Sequence, residues 1–172
     1  RHTLGTPQKS DAMIYHDPDL LFNVRLAQSK SGAYVFVASD AFNASEWHYV
    51  PANRPASPLR TIVPRRKGHE YSVVQQGNRF LIATNDSAQN FRLVAAPVSD
   101  PSPKNWRAVA TPGGSGLLDN IEEFRDHLAI FWRDSAKVRI QIVDTRTGDA
   151  HFVPFEGDVY AAGPSTNADY DS

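Results

Sequence analysis

The chain has 172 residues, 18 basic and 19 acidic side chains, a formal charge of −1, and 41% hydrophobic and 10% aromatic content. That length suits one folded domain with a substantial core, and the composition excludes a disordered chain. Near-neutral charge argues against a nucleic-acid partner, the lack of cysteine removes disulfides, thiolate metal sites and a cysteine nucleophile, and no apolar run approaches the roughly 18–20 residues of a membrane helix.

The opening Arg1-His2-Thr3-Leu4-Gly5-Thr6 has no apolar segment of the signal-peptide kind. It reads as the interior of a longer sequence, as does the closing Asn167-Ala168-Asp169-Tyr170-Asp171-Ser172. Between them, short β-branched and aromatic runs alternate with Gly, Pro, Asn, Asp and Ser. Tyr34-Val35-Phe36-Val37-Ala38, Phe80-Leu81-Ile82-Ala83-Thr84 and His127-Leu128-Ala129-Ile130-Phe131-Trp132 predict strands covered on both faces. Arg65-Arg66-Lys67, between Pro64 and Gly68, predicts a solvated loop. Val138-Arg139-Ile140-Gln141-Ile142 alternates, so its apolar residues share one face. Twelve prolines argue against long helices, and only residues 120–126 pass for a helical turn.

The runs repeat. Tight-turn signals Ser31-Gly32, Gly77-Asn78 and Arg125-Asp126 accompany the three apolar runs, and 45 residues separate Gly32 from Gly77 and 49 separate Gly77 from Asp126. Further strands are predicted over 46–50, 90–95 and 137–143, and then over 60–63, 106–109 and 150–155. Four short strands per repeat of roughly 40–50 residues is the pattern of propeller blades. The chain is therefore predicted to be all-β, an open arc of about three four-stranded antiparallel blades at roughly 11–64, 69–111 and 116–155, with partial blades at both ends. A two-sheet sandwich is the competing all-β architecture.

Leu4-Gly5-Thr6-Pro7-Gln8, followed by Asp11 and a strand at Met13-Ile14-Tyr15, is similar to a segment of the prolyl oligopeptidase family in which one blade hands over to the next. The hairpin Thr84-Asn85-Asp86-Ser87-Ala88-Gln89-Asn90-Phe91-Arg92-Leu93 resembles that family's T-N-x-x-A-x-N-x-R-L stretch. Pro64-Arg65-Arg66-Lys67-Gly68-His69-Glu70-Tyr71-Ser72 resembles the oligopeptidase B branch more narrowly. The resemblance implies a segment of a roughly seven-bladed propeller lying over an α/β-hydrolase domain of the same parent chain. The parent is then a serine peptidase acting on short peptides after Lys or Arg, with the propeller restricting access by size. Cytoplasmic location is expected, with the periplasm as the alternative. By order along the chain, Asn23, Arg25, Asp40 and Asn43 match the family region near the substrate's upstream residues, and Thr84, Asn85, Asp86, Asn90 and Arg92 form a structural hairpin motif. Asn and Asp suit turns, and the Arg92 guanidinium suits cross-linking of strands.

Catalytic machinery is not legible in the chain. Gly113-Gly114-Ser115-Gly116-Leu117 fails G-x-S-x-G at its fifth residue, so Ser115 is expected to be a turn residue and the chain alone inactive. His2, His16, His48, His69, His127 and His151 make no metal-ligand spacing, since Val73 stands where H-E-x-x-H needs its second histidine. Glu122 and Glu123 are adjacent and would point to opposite faces of a strand. Asp17, Asp40, Asp86 and Asp134 could serve as carboxylates drawn from several blades, and charged turn residues explain them as well. Trp47, Trp106 and Trp132 are expected to pack between blades. No cofactor or metal is expected. A stand-alone module binding protein or carbohydrate, and a small enzyme with a site across loops, stay open as alternatives. An open arc also exposes sheet surface, so self-association of the isolated chain is expected.

Overall fold

In the computed structural model, which describes residues 1–110, 116–135, 137–156, 160–165 and 167–171, the described residues form twelve strands in three antiparallel meanders. The first sheet is β1 (Asn23–Gln28), β2 (Tyr34–Ala41), β3 (Ala44–Pro51) and β4 (Arg60–Thr61). The second is β5 (Tyr71–Gln76), β6 (Arg79–Thr84), β7 (Arg92–Pro97) and β8 (Arg107–Ala110). The third is β9 (Leu117–Glu123), β10 (His127–Asp134), β11 (Lys137–Asp144) and β12 (Ala150–Phe152). Strands follow chain order across each sheet, and none of the three sheets closes on itself.

Side-chain alternation explains the stacking of the sheets. Successive side chains of a strand point to opposite faces, so a strand covered on both sides must be apolar throughout. In β6, Phe80 and Ile82 join a cluster with Phe36, Trp47 and Tyr49 of the first sheet. Leu81 and Ala83, between them, join Leu118, Leu128, Ile130 and Trp132 of the third. The second sheet is thus the filling between two cores. Phe80 is fully buried and meets Tyr34, Phe36 and Tyr49 edge-on at ring separations of 5.7, 5.7 and 4.8 Å. Burying such a side chain contributes about 1.5–3 kcal/mol.

The arc prediction holds and the sandwich reading does not, because the middle sheet has neighbours on both faces. Ile140 and Ile142 do share a face, paired across to Phe131 and Ala129. Gly77 turns the β5–β6 hairpin at φ +55°, a left-handed conformation that favours glycine.

Two expectations are corrected. Residues 120–126 are not a helical turn, since β9 runs to Glu123. A bulge opposite Phe131 and Trp132 leaves Asp119 unpaired, so Leu118 and Ile121 enter the same core three residues apart. That spacing imitates a helix. Met13-Ile14-Tyr15 belongs to no sheet. The segment is held instead by Arg1 and Ala12, which exchange backbone hydrogen bonds at 2.6 and 3.2 Å, and by the Tyr15 side chain, which reaches Asp17 at 3.1 Å and lies 4.7 Å from the His48 ring.

Candidate functional site

Three loops meet on one rim of the sheets: the β2–β3 turn, the connector 62–70 and the turn leaving β6. The Gly68 N–H donates to the Asn43 carbonyl at 2.9 Å and the Ser45 N–H to the His69 carbonyl at 3.0 Å. Asn85 then locks the connector from the other side. Its Nδ2 donates to the Gly68 carbonyl at 3.0 Å and its Oδ1 accepts the Glu70 N–H at 2.9 Å. Asp86 pairs with Arg66 and lies 3.7 Å from Arg92, while its N–H donates to Thr84 Oγ1 at 3.1 Å. The Asn90 carbonyl accepts the Leu118 N–H, joining the hairpin to the third sheet. The hairpin motif and the Arg-Arg motif, 20 residues apart at Arg66 and Asp86, are therefore partners. Gly68, at φ +79°, supplies the left-handed turn between them.

The four residues expected near substrate share this rim. Asn23 pairs with Asp40 in the β1–β2 register, and Arg25 Nε donates to Asp40 Oδ2 at 3.1 Å. The Arg25 guanidinium also lies 4.7 Å over the Trp47 ring. Leu20, Leu21 and Phe42 stand beside them at the end of that register, with exposures of 97, 77 and 98%. Three large apolar side chains thus stand in solvent near a half-exposed ion pair.

A buried ionic cluster behind the first sheet was missed in the sequence. Asp17, 8% exposed, accepts hydrogen bonds from Arg65, from Ser39 and, at 3.1 Å, from both Tyr15 and the Asp19 N–H. Arg65 also reaches Glu46, whose Oε2 accepts the Arg65 N–H at 2.9 Å, and lies 3.9 Å over the Phe22 ring. The Arg65 hydrogen bond holds the Asp17 carboxyl well below the usual range, against the effect of burial. The expectation of a solvated basic loop is therefore corrected for Arg65, which turns inward to Asp17, and it holds for Arg66 and Lys67, which are exposed, Arg66 in an ion pair with Asp86. Asp17 is likewise no surface turn residue. Its partner lies 48 residues away, and no local pattern announces such a pair.

His48 and His69 are buried. His48 Nδ1 lies 3.0 Å from Thr61 Oγ1, and its Nε2 is 3.2 Å from Glu46 Oε1, off the line of a hydrogen bond. His69 Nε2 lies 2.9 Å from Thr84 Oγ1, and the ring stacks on Tyr71 at 5.1 Å. Burial pushes both imidazoles below their ordinary value, with Glu46 opposing the effect at His48.

The polar groups of this rim cross-link its loops. Among the described residues no group of three His, Asp or Glu side chains is placed to hold a metal. Asp17, Asp40 and Asp86 are tied to Arg65, Arg25 and Arg66 rather than to one another. Glu123 is buried, which raises its carboxyl, and Glu122 is paired to the opposite face of β9. Trp47 and Trp132 lie in the two cores, and Trp106 packs against the first. Ser115 lies outside the described residues.

Comparison with known proteins agrees with this geometry. The family described as "Prolyl oligopeptidase, N-terminal beta-propeller domain" matches residues 1–171. Protease 2 of Moraxella lacunata is 31% identical over 172 residues, covering 100% of this chain and 24% of the relative. Dipeptidyl aminopeptidase BI of Pseudoxanthomonas mexicana is 27% identical, covering 96% and 23%. The structure of oligopeptidase B from Trypanosoma brucei, closed form with covalently bound antipain, superposes with a TM-score of 0.89 at 24% identity, over 99% of this chain and 26% of that one. The chain thus spans about a quarter of the length of these relatives. Stacked four-stranded meanders, two family motifs that grip each other across one rim, and a match over nearly every residue lead to one assignment: the chain belongs to the N-terminal β-propeller domain family of the prolyl oligopeptidases and is oligopeptidase B-like.

Proposed function

We propose that this chain is part of the size gate of a serine oligopeptidase that cleaves short peptides after Lys or Arg, and that the rim bearing Asn23, Arg25, Asp40 and Asn43 faces an α/β-hydrolase domain of the same parent. The observation that carries the proposal is the solvent-exposed trio Leu20, Leu21 and Phe42 beside the Arg25–Asp40 pair. An apolar tip next to a charged pair suits a contact that forms on closure and breaks on opening. The closed, antipain-bound form of the Trypanosoma brucei relative supports such a cycle. Sheets packed through two buried apolar cores leave no gap between neighbours for a folded protein, whereas a short flexible peptide can pass when the domains part.

The test uses the full-length parent enzyme. Fluorogenic arginyl and lysyl substrates should be cleaved and a prolyl substrate spared, and a peptide of a dozen residues should be cut where casein is not. Phe42→Ser should change the relative rates on long and short peptides while leaving the smallest substrate little affected. Cleavage after proline, or digestion of casein, overturns the reading.

A further inference from the structure

The opposite rim holds a groove of about 510 Å3 between the second and third sheets, away from the loops described above. Three arginines line it, Arg79, Arg107 and Arg125, and no Asp or Glu does. A guanidinium presents five N–H donors in a planar fork suited to oxyanions. Arg79 gives one contact to Gln76 Oε1 at 2.6 Å and Arg107 one to the Trp106 carbonyl at 3.1 Å, and among the described residues neither has a carboxylate partner.

The groove is built rather than incidental. Gln76 is 3% exposed, and its Nε2 donates to the Phe124 and His127 carbonyls at 2.7 and 3.0 Å while its Oε1 holds Arg79. A buried amide thus fixes one guanidinium and fastens the second sheet to the third. The third arginine already carries an acid. Arg125 Nη2 lies 2.7 Å from Asp171 Oδ1, the Arg125 N–H donates to the Tyr170 carbonyl at 2.8 Å, and the Tyr170 hydroxyl accepts the Gly77 N–H at 3.2 Å. The segment bearing Tyr170 and Asp171 therefore lies at the groove mouth, with one carboxylate on Arg125 where a ligand's anionic group would sit.

We infer that this groove binds a small polyanion bearing phosphate or carboxylate groups, that Arg79 and Arg107 are its principal contacts, and that Asp171 competes for Arg125. Calorimetric titration of the 172-residue chain at low ionic strength, with inorganic triphosphate and with citrate, tests it. Saturable binding of one equivalent is expected. Arg79→Ala with Arg107→Ala should weaken it about ten-fold or more, since charge-assisted hydrogen bonds are lost. Lys67→Ala, on the opposite rim, should leave affinity unchanged, and Asp171→Asn should tighten it by about two- to five-fold, the worth of one exposed ion pair. Arg107→Glu, at an exposed position, serves if the double variant fails to fold. A preference for triphosphate or for citrate identifies the anion, and either order upholds the site. No saturable heat with either titrant, or equal affinity in the Arg107→Glu chain, overturns the inference.

Discussion

The Tyr71 hydroxyl accepts the Trp47 N–H at 2.8 Å, so a side chain of the second sheet completes the backbone bonding of the first. The same oxygen accepts the Val63 N–H at 3.3 Å and donates to the Val63 carbonyl at 2.6 Å, just past the point where β4 stops pairing with β3. One phenol thus replaces the missing rungs of a ladder. Its burial, only partly offset by these bonds, pushes its ionisation up. Tyr71→Phe keeps the ring and orphans buried backbone groups, so it should cost about 1–3 kcal/mol, measured by urea unfolding.

Asp17 makes stability depend on acid. Its folded carboxyl titrates below its unfolded value, so the stabilisation is present above about pH 4 and is lost as the pH falls through the folded value. Asp17→Asn should destabilise the fold by about 1–3 kcal/mol at pH 7, less than a fully buried broken pair because Arg65 keeps 28% of its side chain exposed. The variant should also lose part of the acid-dependent fall between pH 4 and 2. An unchanged acid profile would remove Asp17 from this role.

The buried imidazoles act in a higher window. Both His48 and His69 are depressed in the fold, so the unfolded chain takes up protons first as the pH drops below about 6.5, and stability falls with it. The urea midpoint should be lower at pH 5.5 than at pH 7.5 at constant salt. His69→Gln should start from a lower midpoint and show a smaller drop. His69 feels Arg66, which lowers it further, and Asp86, which opposes, so Arg66→Ala should lessen the drop.

The outer face of the first sheet invites association. Val24 and Leu26 are 47 and 75% exposed and, with Met13 at 81%, line an apolar groove of about 570 Å3. We expect the isolated chain to self-associate at micromolar concentration, with Leu26→Lys shifting it towards monomer. Sedimentation velocity measures both, and a wild-type chain that stays monomeric counts against this surface.

The repeat was legible because strand periodicity and turn residues are local. Phe80-Leu81-Ile82-Ala83, apolar at every position, announces two covered faces by itself. Residues 120–126 misled because a bulge at Asp119 gave a strand the spacing of a helix. On the site, the motif residues Asn85, Asp86 and Arg92 stood out as types suited to turns and forks, but not their grip on Arg66 and Gly68. Asp17 and Arg65 were read separately as surface charges, because a buried pair 48 residues apart is a property of the fold alone. Nor did the scattered Arg79, Arg107 and Arg125 show any sign of converging.

A sheet that serves as wall to two cores cannot come undone by itself. Loosening β6 would expose Phe80 and Ile82 to water on one side and Leu81 on the other, so both neighbours would lose their cover together. In a stack of repeats each contact binds only next-door units, and the central one sets how many unfold at once. Heat or denaturant should therefore take these three units apart in a single concerted step rather than one after another.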